Sequence, residues 1–216
     1  MPSVDFRLLL VTDRTRVQAR PFMDLLAEAI NAGLPAIQLR ERDLSTRELL
    51  RVGGVLRAMA APRGVCLLIN DRVDLAMTLG LTGVHLRANS LPIPVVRRLV
   101  GSASLIGQST HSLAEVRAAS QQGADYIVFG PVFDTPSKRP YGSPLGLDQL
   151  AEACRISKVP VFAIGGVTTA SVPIVRQAGA YGVAVIGAVL NRVDVGEAIR
   201  EFMAVLETPT DSDGHA

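Results

Sequence analysis

The chain lacks any long apolar run: the first, Leu8-Leu9-Leu10-Val11, stops at Thr12-Asp13, too short for a signal sequence or a membrane span. A cytoplasmic location with no membrane partner is therefore expected. A block of like charge is also missing. The 22 basic and 20 acidic residues leave a net charge of +2, without the footprint of nucleic-acid binding, which argues against that class of partner. Cysteine is scarce: Cys66 lies in the apolar run Val65-Cys66-Leu67-Leu68 and Cys154 in a helical pattern. Two isolated cysteines carry no zinc spacing, so buried free thiols are expected rather than a disulfide or a metal pair. Lysine is nearly absent, since only Lys138 and Lys158 break the arginine preference; a chain that keeps Lys138 has use for a compact point charge there.

What is present is a globular composition, 48% hydrophobic with 19 glycines and 13 prolines in 216 residues, enough for one sizeable core. The expected organisation is a single domain over residues 1–206 and a flexible tail over 207–216, where Thr, Pro, Asp, Ser and Gly replace the apolar pattern. Apolar runs of strand length recur at Phe6–Thr12, Ala36–Leu39, Val65–Ile69, Gly83–Leu86, Leu105–Gly107, Ala124–Phe129, Val159–Ile164 and Gly182–Ile186. Between them lie amphipathic stretches such as Pro21–Ala32, Ser45–Met59, Leu113–Gln122, Thr169–Ala178 and Arg192–Val205. Strands that alternate with helices imply a parallel sheet, because each parallel crossover needs a helix to return the chain. Eight such units either close into an α/β (β/α)8 TIM barrel or lie open as a doubly wound sheet, and periodicity does not decide. Glycines just after the seventh and eighth runs, in Ala163-Ile164-Gly165-Gly166 and Val185-Ile186-Gly187-Ala188, favour the barrel. Loops at those positions often hold a phosphate, although they also serve as ordinary turn glycines.

Polar residues gather after the strands: Thr12-Asp13, Gln38 to Asp43, Asn70-Asp71-Arg72, His85, Ser109-Thr110-His111, and Gly130 to Lys138. The opposite ends are bland, as expected of a barrel with its chemistry on one face. Alternation sends Gln38, Arg40 and Arg42 to one side and Leu39 to the other. Two guanidiniums and an amide suit an oligophosphate; a surface Arg–Glu network is the competing reading. Asn70 and Asp71 can orient a phosphate oxygen and a Mg²⁺ ion, or Asp71 caps the next helix. Thr135-Pro136-Ser137-Lys138 offers two hydroxyls and an ammonium, as a phosphate clamp or a flexible polar loop. His85 and His111 read equally as acid–base groups or as hydrogen-bonding wall residues.

In order, Gln38-Leu39-Arg40-Glu41-Arg42-Asp43, Ile69-Asn70-Asp71-Arg72-Val73-Asp74, Gly83-Val84-His85-Leu86, Ser109-Thr110-His111-Ser112, Gly130-Pro131-Val132-Phe133 with Thr135 to Lys138, and Ala163-Ile164-Gly165-Gly166 resemble thiamine-phosphate synthase. The resemblance runs from about Val11 to Val189. It implies a transferase that condenses hydroxymethylpyrimidine pyrophosphate with a thiazole phosphate and releases pyrophosphate. By the same carry-over, Gln38, Arg40, Arg42, Asn70, Ser109 and Lys138 hold the pyrimidine pyrophosphate, Asp71 binds Mg²⁺, and Thr135, Ser137, the Gly166 backbone and the Ile186-Gly187 amides take the thiazole phosphate. Arg40, Arg42 and Lys138 are the residues expected to stabilise the leaving charge.

The sequence departs from the family pattern where Arg42 replaces Lys, Ser137 replaces Thr and Gly187 replaces Ser. Ser90 stands where a second Mg²⁺ carboxylate is expected, and Arg87 where Gly is usual; loss of an anionic ligand weakens metal binding, and Arg87 replaces part of the ion's charge on this reading. The related thiazole tautomerases are the alternative, usually with His where Pro131 stands. A non-catalytic binder of thiamine precursors and a Schiff-base aldolase using Lys138 are the remaining readings, and a homo-oligomer is left open.

Overall fold

The computed structural model describes residues 3–17, 20–135 and 142–208. Eight parallel strands pair in chain order: β1 (Leu8–Val11), β2 (Ala36–Leu39), β3 (Cys66–Asn70), β4 (Gly83–Leu86), β5 (Leu105–Thr110), β6 (Tyr126–Phe129), β7 (Val161–Ile164) and β8 (Gly182–Val185). The last pairs with the first, Leu9 opposite Ala184, so the sheet closes. This settles the choice between barrel and open sheet. The outer helices are α1 (Phe22–Asn31), α2 (Thr46–Ala60), α3 (Val73–Leu79), α4 (Ile93–Val100), α5 (Leu113–Gln122), α6 (Gly146–Ile156), α7 (Val172–Gln177), α8 (Gly187–Leu190) and α9 (Val195–Glu207).

Period-two alternation divides the strands between two cores. Leu8, Leu10, Ile37, Leu39, Leu67, Ile69, Val84, Ile106, Ile127, Val161 and Val183 face the helices, and Leu9, Val11, Ala36, Cys66, Leu68, Leu105, Tyr126, Val128, Phe162 and Ala184 fill the barrel. Aromatic rings stop the N-terminal end. Phe6 meets Tyr126 edge-on at 5.9 Å and lies 5.3 Å from Phe162, and Tyr181 packs on Phe162 at 5.7 Å, a geometry favoured by ring quadrupoles. Gly107 makes room for this plug: a Cβ there would lie 2.1 Å from the Tyr126 ring.

Where elements begin differs from periodicity for local reasons. Ser45 opens α2 with a capping box to Glu48, and Ser112 and Asp194 accept from the N–H groups of Glu115 and Glu197. Each satisfies an orphan donor of the first turn. The Asp194 cap delays the last helix from the expected Arg192 to Val195, and that helix ends at Glu207, while residues 209–216 of the expected tail lie outside the described residues. The expected helix over Thr169–Ala178 splits into a 3-10 turn, Thr169–Ser171, and α7, with a proline in the first turn of α7. Ser109 and Thr110 lie inside β5 rather than after it. Cys66 is buried and Cys154 is only partly so; both are free thiols, and burial pushes each up to about 12. No helix among the described residues is long and apolar enough to cross a membrane.

Candidate active site

The alternation that fills the barrel also decides which polar side chains reach its C-terminal mouth. Since Ala36, Cys66 and Leu105 point inward, Gln38, Asn70 and Ser109 do so too, one or two pleats further on. Gln38 Nε2 donates to Asn70 Oδ1 at 3.0 Å. This bond fixes the Asn70 amide with its N–H groups turned away from Gln38. Asn70 and His85 are register partners on β3 and β4.

His85 is 1% exposed, with Nδ1 2.9 Å from the Tyr126 hydroxyl and Nε2 2.9 Å from Ser109 Oγ. Burial, and secondarily the charge of Arg40, depresses the imidazole to about 3, so it is neutral at physiological pH. Burial pushes the Tyr126 phenol well above its usual value, so the phenol keeps its proton, and a buried O–H requires an acceptor. Nδ1 is that acceptor, which assigns the hydrogen to Nε2. His85 then donates to Ser109, and the Ser109 hydroxyl hydrogen is left to donate to a bound molecule. His85 is thus a wall residue that orients Ser109. His111 is exposed and its Nδ1 donates to the Gly130 carbonyl at 2.5 Å.

Arg40 and Arg42 follow β2 at the rim. Burial, and then the like charge of Arg42, lowers Arg40, while Asp13 and Glu41 act in the opposite direction. The charge of Arg42 is thus felt at Arg40. Glu41 between them is buried rather than part of a surface network: it accepts from Thr12 Oγ1 at 2.6 Å and from the Arg14 N–H at 3.0 Å. It stitches the end of β1 to the end of β2, and burial raises its carboxyl despite the bond from Thr12. Burial raises Asp13, but bonds from Thr15 and Arg16 outweigh it and hold this carboxyl below its ordinary value.

Asp71 does not cap the next helix; Arg72 occupies that position, without a side-chain cap bond. It sits in the left-handed region with φ 61°. Its Oδ2 accepts from Arg87 Nε at 2.7 Å and also from Arg87 Nη2, and its Oδ1 accepts from Ser90 Oγ. Among the described residues no group of three or more His, Cys, Asp or Glu side chains could hold a metal ion. One carboxylate already engaged through both oxygens, beside a guanidinium, does not fit a protein-held Mg²⁺, which requires open anionic oxygens.

On the opposite arc the loops after β6 and β7 are tied together. Val132 N–H donates to Ile164 O at 2.8 Å and Phe133 N–H to Gly165 O at 3.0 Å. Gly165 and Gly166 have φ 94° and 67°, and a Cβ would lie 2.6 Å from Pro131 or 2.7 Å from Phe133. Only glycine meets both conditions. Thr135 Oγ1 donates to Phe133 O at 3.1 Å and lies beside Gly165. Ser137 and Lys138 are outside the described residues. Ile186 caps the four-residue α8, and Arg16 Nη1 comes within 3.3 Å of where a Gly187 Cβ would stand. Arg16 and Tyr126 are absent from the residues singled out by sequence, and Glu41 figures there only within a motif or a surface network, without a site role. The Arg14-Thr15-Arg16 run directly after β1 was the readable signal for the first; no local pattern marks the other two.

A closed (β/α)8 barrel with guanidiniums, amides and a preoriented hydroxyl on its C-terminal rim is an enzyme scaffold suited to phosphorylated small molecules. Residues 8–189 match the family described as Thiamine monophosphate synthase. The thiamine-phosphate synthase of Roseiflexus sp. (strain RS-1) is 37% identical over 100% of this chain and 91% of its own. That of Desulfitobacterium hafniense (strain DSM 10664 / DCB-2) is 40% identical over 89% and 93%. The solved thiamine phosphate pyrophosphorylase from Pyrococcus furiosus superposes with TM-score 0.84 at 33% identity, over 93% of this chain and 95% of that one. The chain belongs to the thiamine monophosphate synthase family.

Proposed function

We propose that this barrel, working in the cytoplasm, makes thiamine phosphate from 4-amino-2-methyl-5-hydroxymethylpyrimidine pyrophosphate and 4-methyl-5-(2-phosphooxyethyl)thiazole, releasing pyrophosphate. The observation that carries the reading is the meeting, at one rim, of groups from separate strands: the Gln38–Asn70 amide pair, Ser109 oriented by His85, and the rim residue Arg40.

The chemistry follows from charge. The bond between the exocyclic methylene and the diphosphate oxygen breaks, and its electron pair leaves with the diphosphate. The methylene cation is delocalised into the aminopyrimidine. The thiazole nitrogen lone pair then forms the new carbon–nitrogen bond, giving the thiazolium. No proton is removed, which suits a site whose buried histidine is neutral and held as a wall. The residues act by donating to the leaving oxygens, as Arg40, Arg42 and the Ser109 hydroxyl are assigned to do, and by aligning two reactants. Lys138 joins them, and Ser137 and Thr135 with the Gly166, Ile186 and Gly187 backbone take the thiazole phosphate, on the family resemblance. A Mg²⁺ ion belonging to this chemistry would supply positive charge to the diphosphate; the Asp71 site does not fit it, and the leaving charge is assigned to the arginines.

The test is incubation of the purified chain with both substrates, following thiamine phosphate and pyrophosphate. One-to-one formation is expected, and Arg40→Ala should lower kcat/KM by on the order of 100-fold, as for loss of a preorganised donor to developing charge. No thiamine phosphate from a folded sample that binds both substrates would refute the reading.

A further inference from the structure

We infer that Arg87, fixed on Asp71 and Ser90, is a built-in cation for the diphosphate, so that the barrel binds this group without a metal held by the protein. The inference rests on the function proposed above and deepens it.

The three side chains form a closed unit. Ser90 Oγ accepts from the Arg87 N–H at 2.8 Å and donates to Asp71 Oδ1, and the Arg87 guanidinium grips Asp71 Oδ2 through Nε and Nη2. The loop that carries Arg87 is thereby anchored to the end of the neighbouring strand, where the Asp71 N–H also donates to His85 O at 2.9 Å. Gln108 Nε2 reaches the Arg87 carbonyl from β5 at 3.4 Å. A guanidinium has five N–H donors, of which this grip uses only those on two nitrogens. Arg87 is 49% exposed by its side chain while Asp71 is 20% exposed. The anion is therefore the covered partner, and the cation keeps an exposed edge just past the C-terminal end of β4.

Charge decides what such a unit can attract. Asp71 and Arg87 sum to zero, the same total as two carboxylates around a divalent cation. A divalent ion added here would face a guanidinium and would need to displace it from the only carboxylate of the unit. A diphosphate meets N–H donors in fork geometry, the preferred partner of phosphate oxygens.

The experiment uses the full chain and inorganic pyrophosphate. Calorimetric titration of the wild type in EDTA should give saturable binding, altered less than about threefold by Mg²⁺ (under a single charge-assisted bond). Paramagnetic resonance of Mn²⁺ with the chain alone should show no saturable site. Arg87→Met should weaken pyrophosphate binding by on the order of 10- to 100-fold, as expected for a lost charge-assisted pair, and Arg87→Lys should retain part of it. Saturable Mn²⁺ binding by the wild-type chain, loss of pyrophosphate binding in EDTA, or unchanged affinity in Arg87→Met would overturn the inference. The first two need no variant and stand even if Arg87→Met fails to fold. Thiamine phosphate formation that stops in EDTA overturns the inference and leaves the proposed function standing. Pyrophosphate binding as expected, with no thiamine phosphate with or without Mg²⁺, supports the inference on binding and sinks the function.

Discussion

Replacing Tyr126 by Phe removes one oxygen and keeps the ring that packs against Phe6 and Phe162. The lost hydroxyl is the donor to His85 Nδ1 at 2.9 Å, in a site where both side chains are essentially inaccessible. Leaving a buried acceptor unsatisfied costs about 1–3 kcal/mol. For a chain of this length each kcal/mol lowers Tm by roughly 2–4 °C, so a fall of about 2–12 °C is expected. There is a functional consequence as well. Without the phenol, Nδ1 no longer has a donor that dictates the tautomer, and an Nδ1–H imidazole would accept from Ser109 instead of donating to it. The serine hydrogen would then be diverted from the bound diphosphate. A loss of up to about tenfold in kcat, with KM for the thiazole phosphate nearly unchanged, corresponds to about 1.4 kcal/mol of transition-state stabilisation. Thermal melting by circular dichroism and initial rates with each substrate varied measure the two effects. A Tyr126→Phe protein with wild-type Tm and wild-type kcat would refute the Tyr126–His85–Ser109 relay.

The same histidine predicts a pH dependence of stability. Its ordinary value is 6.5 and its folded value about 3. Above the first, both states are neutral and the group contributes nothing; below it the unfolded chain takes up a proton that the folded barrel refuses, so stability falls as pH falls through that window. Between about pH 7 and pH 5 this group alone should lower the unfolding free energy by roughly 2 kcal/mol, read by urea denaturation, with a flatter slope in His85→Gln; equal slopes would contradict the burial of a neutral ring. Gly166→Ala combines a left-handed backbone with a Cβ 2.7 Å from Phe133 and 2.8 Å from the Asp134 carbonyl. It should lower stability by about 1–3 kcal/mol and raise KM for the thiazole phosphate more than that for the pyrimidine substrate. Equal changes in both constants would remove the β6–β7 loops from the phosphate-binding arc.

The polar rim was readable in the chain because strands alternate: once Leu39 and Ile69 are taken as facing helices, Gln38 and Asn70 must face the barrel. Glu41 shows where that reasoning stops. Nothing in Arg40-Glu41-Arg42 reveals that the carboxylate is buried against Thr12, just past β1, because its partner lies 29 positions away in sequence. Asp71 makes the same point more sharply, since a carboxylate after a strand suits a cap or a metal by local chemistry, and only the neighbouring loop supplies the arginine that occupies it.

By itself the sequence determined the eight alternating units, the side of each strand that is polar, and the family whose motifs they carry, because these depend on local periodicity and on residue identity at short spacing. Closure of the sheet, the tautomer of His85, and the partner of Asp71 were decided only by the tertiary structure. Each depends on groups that distant segments bring within hydrogen-bond reach, and pair interactions of that kind leave no period in the chain.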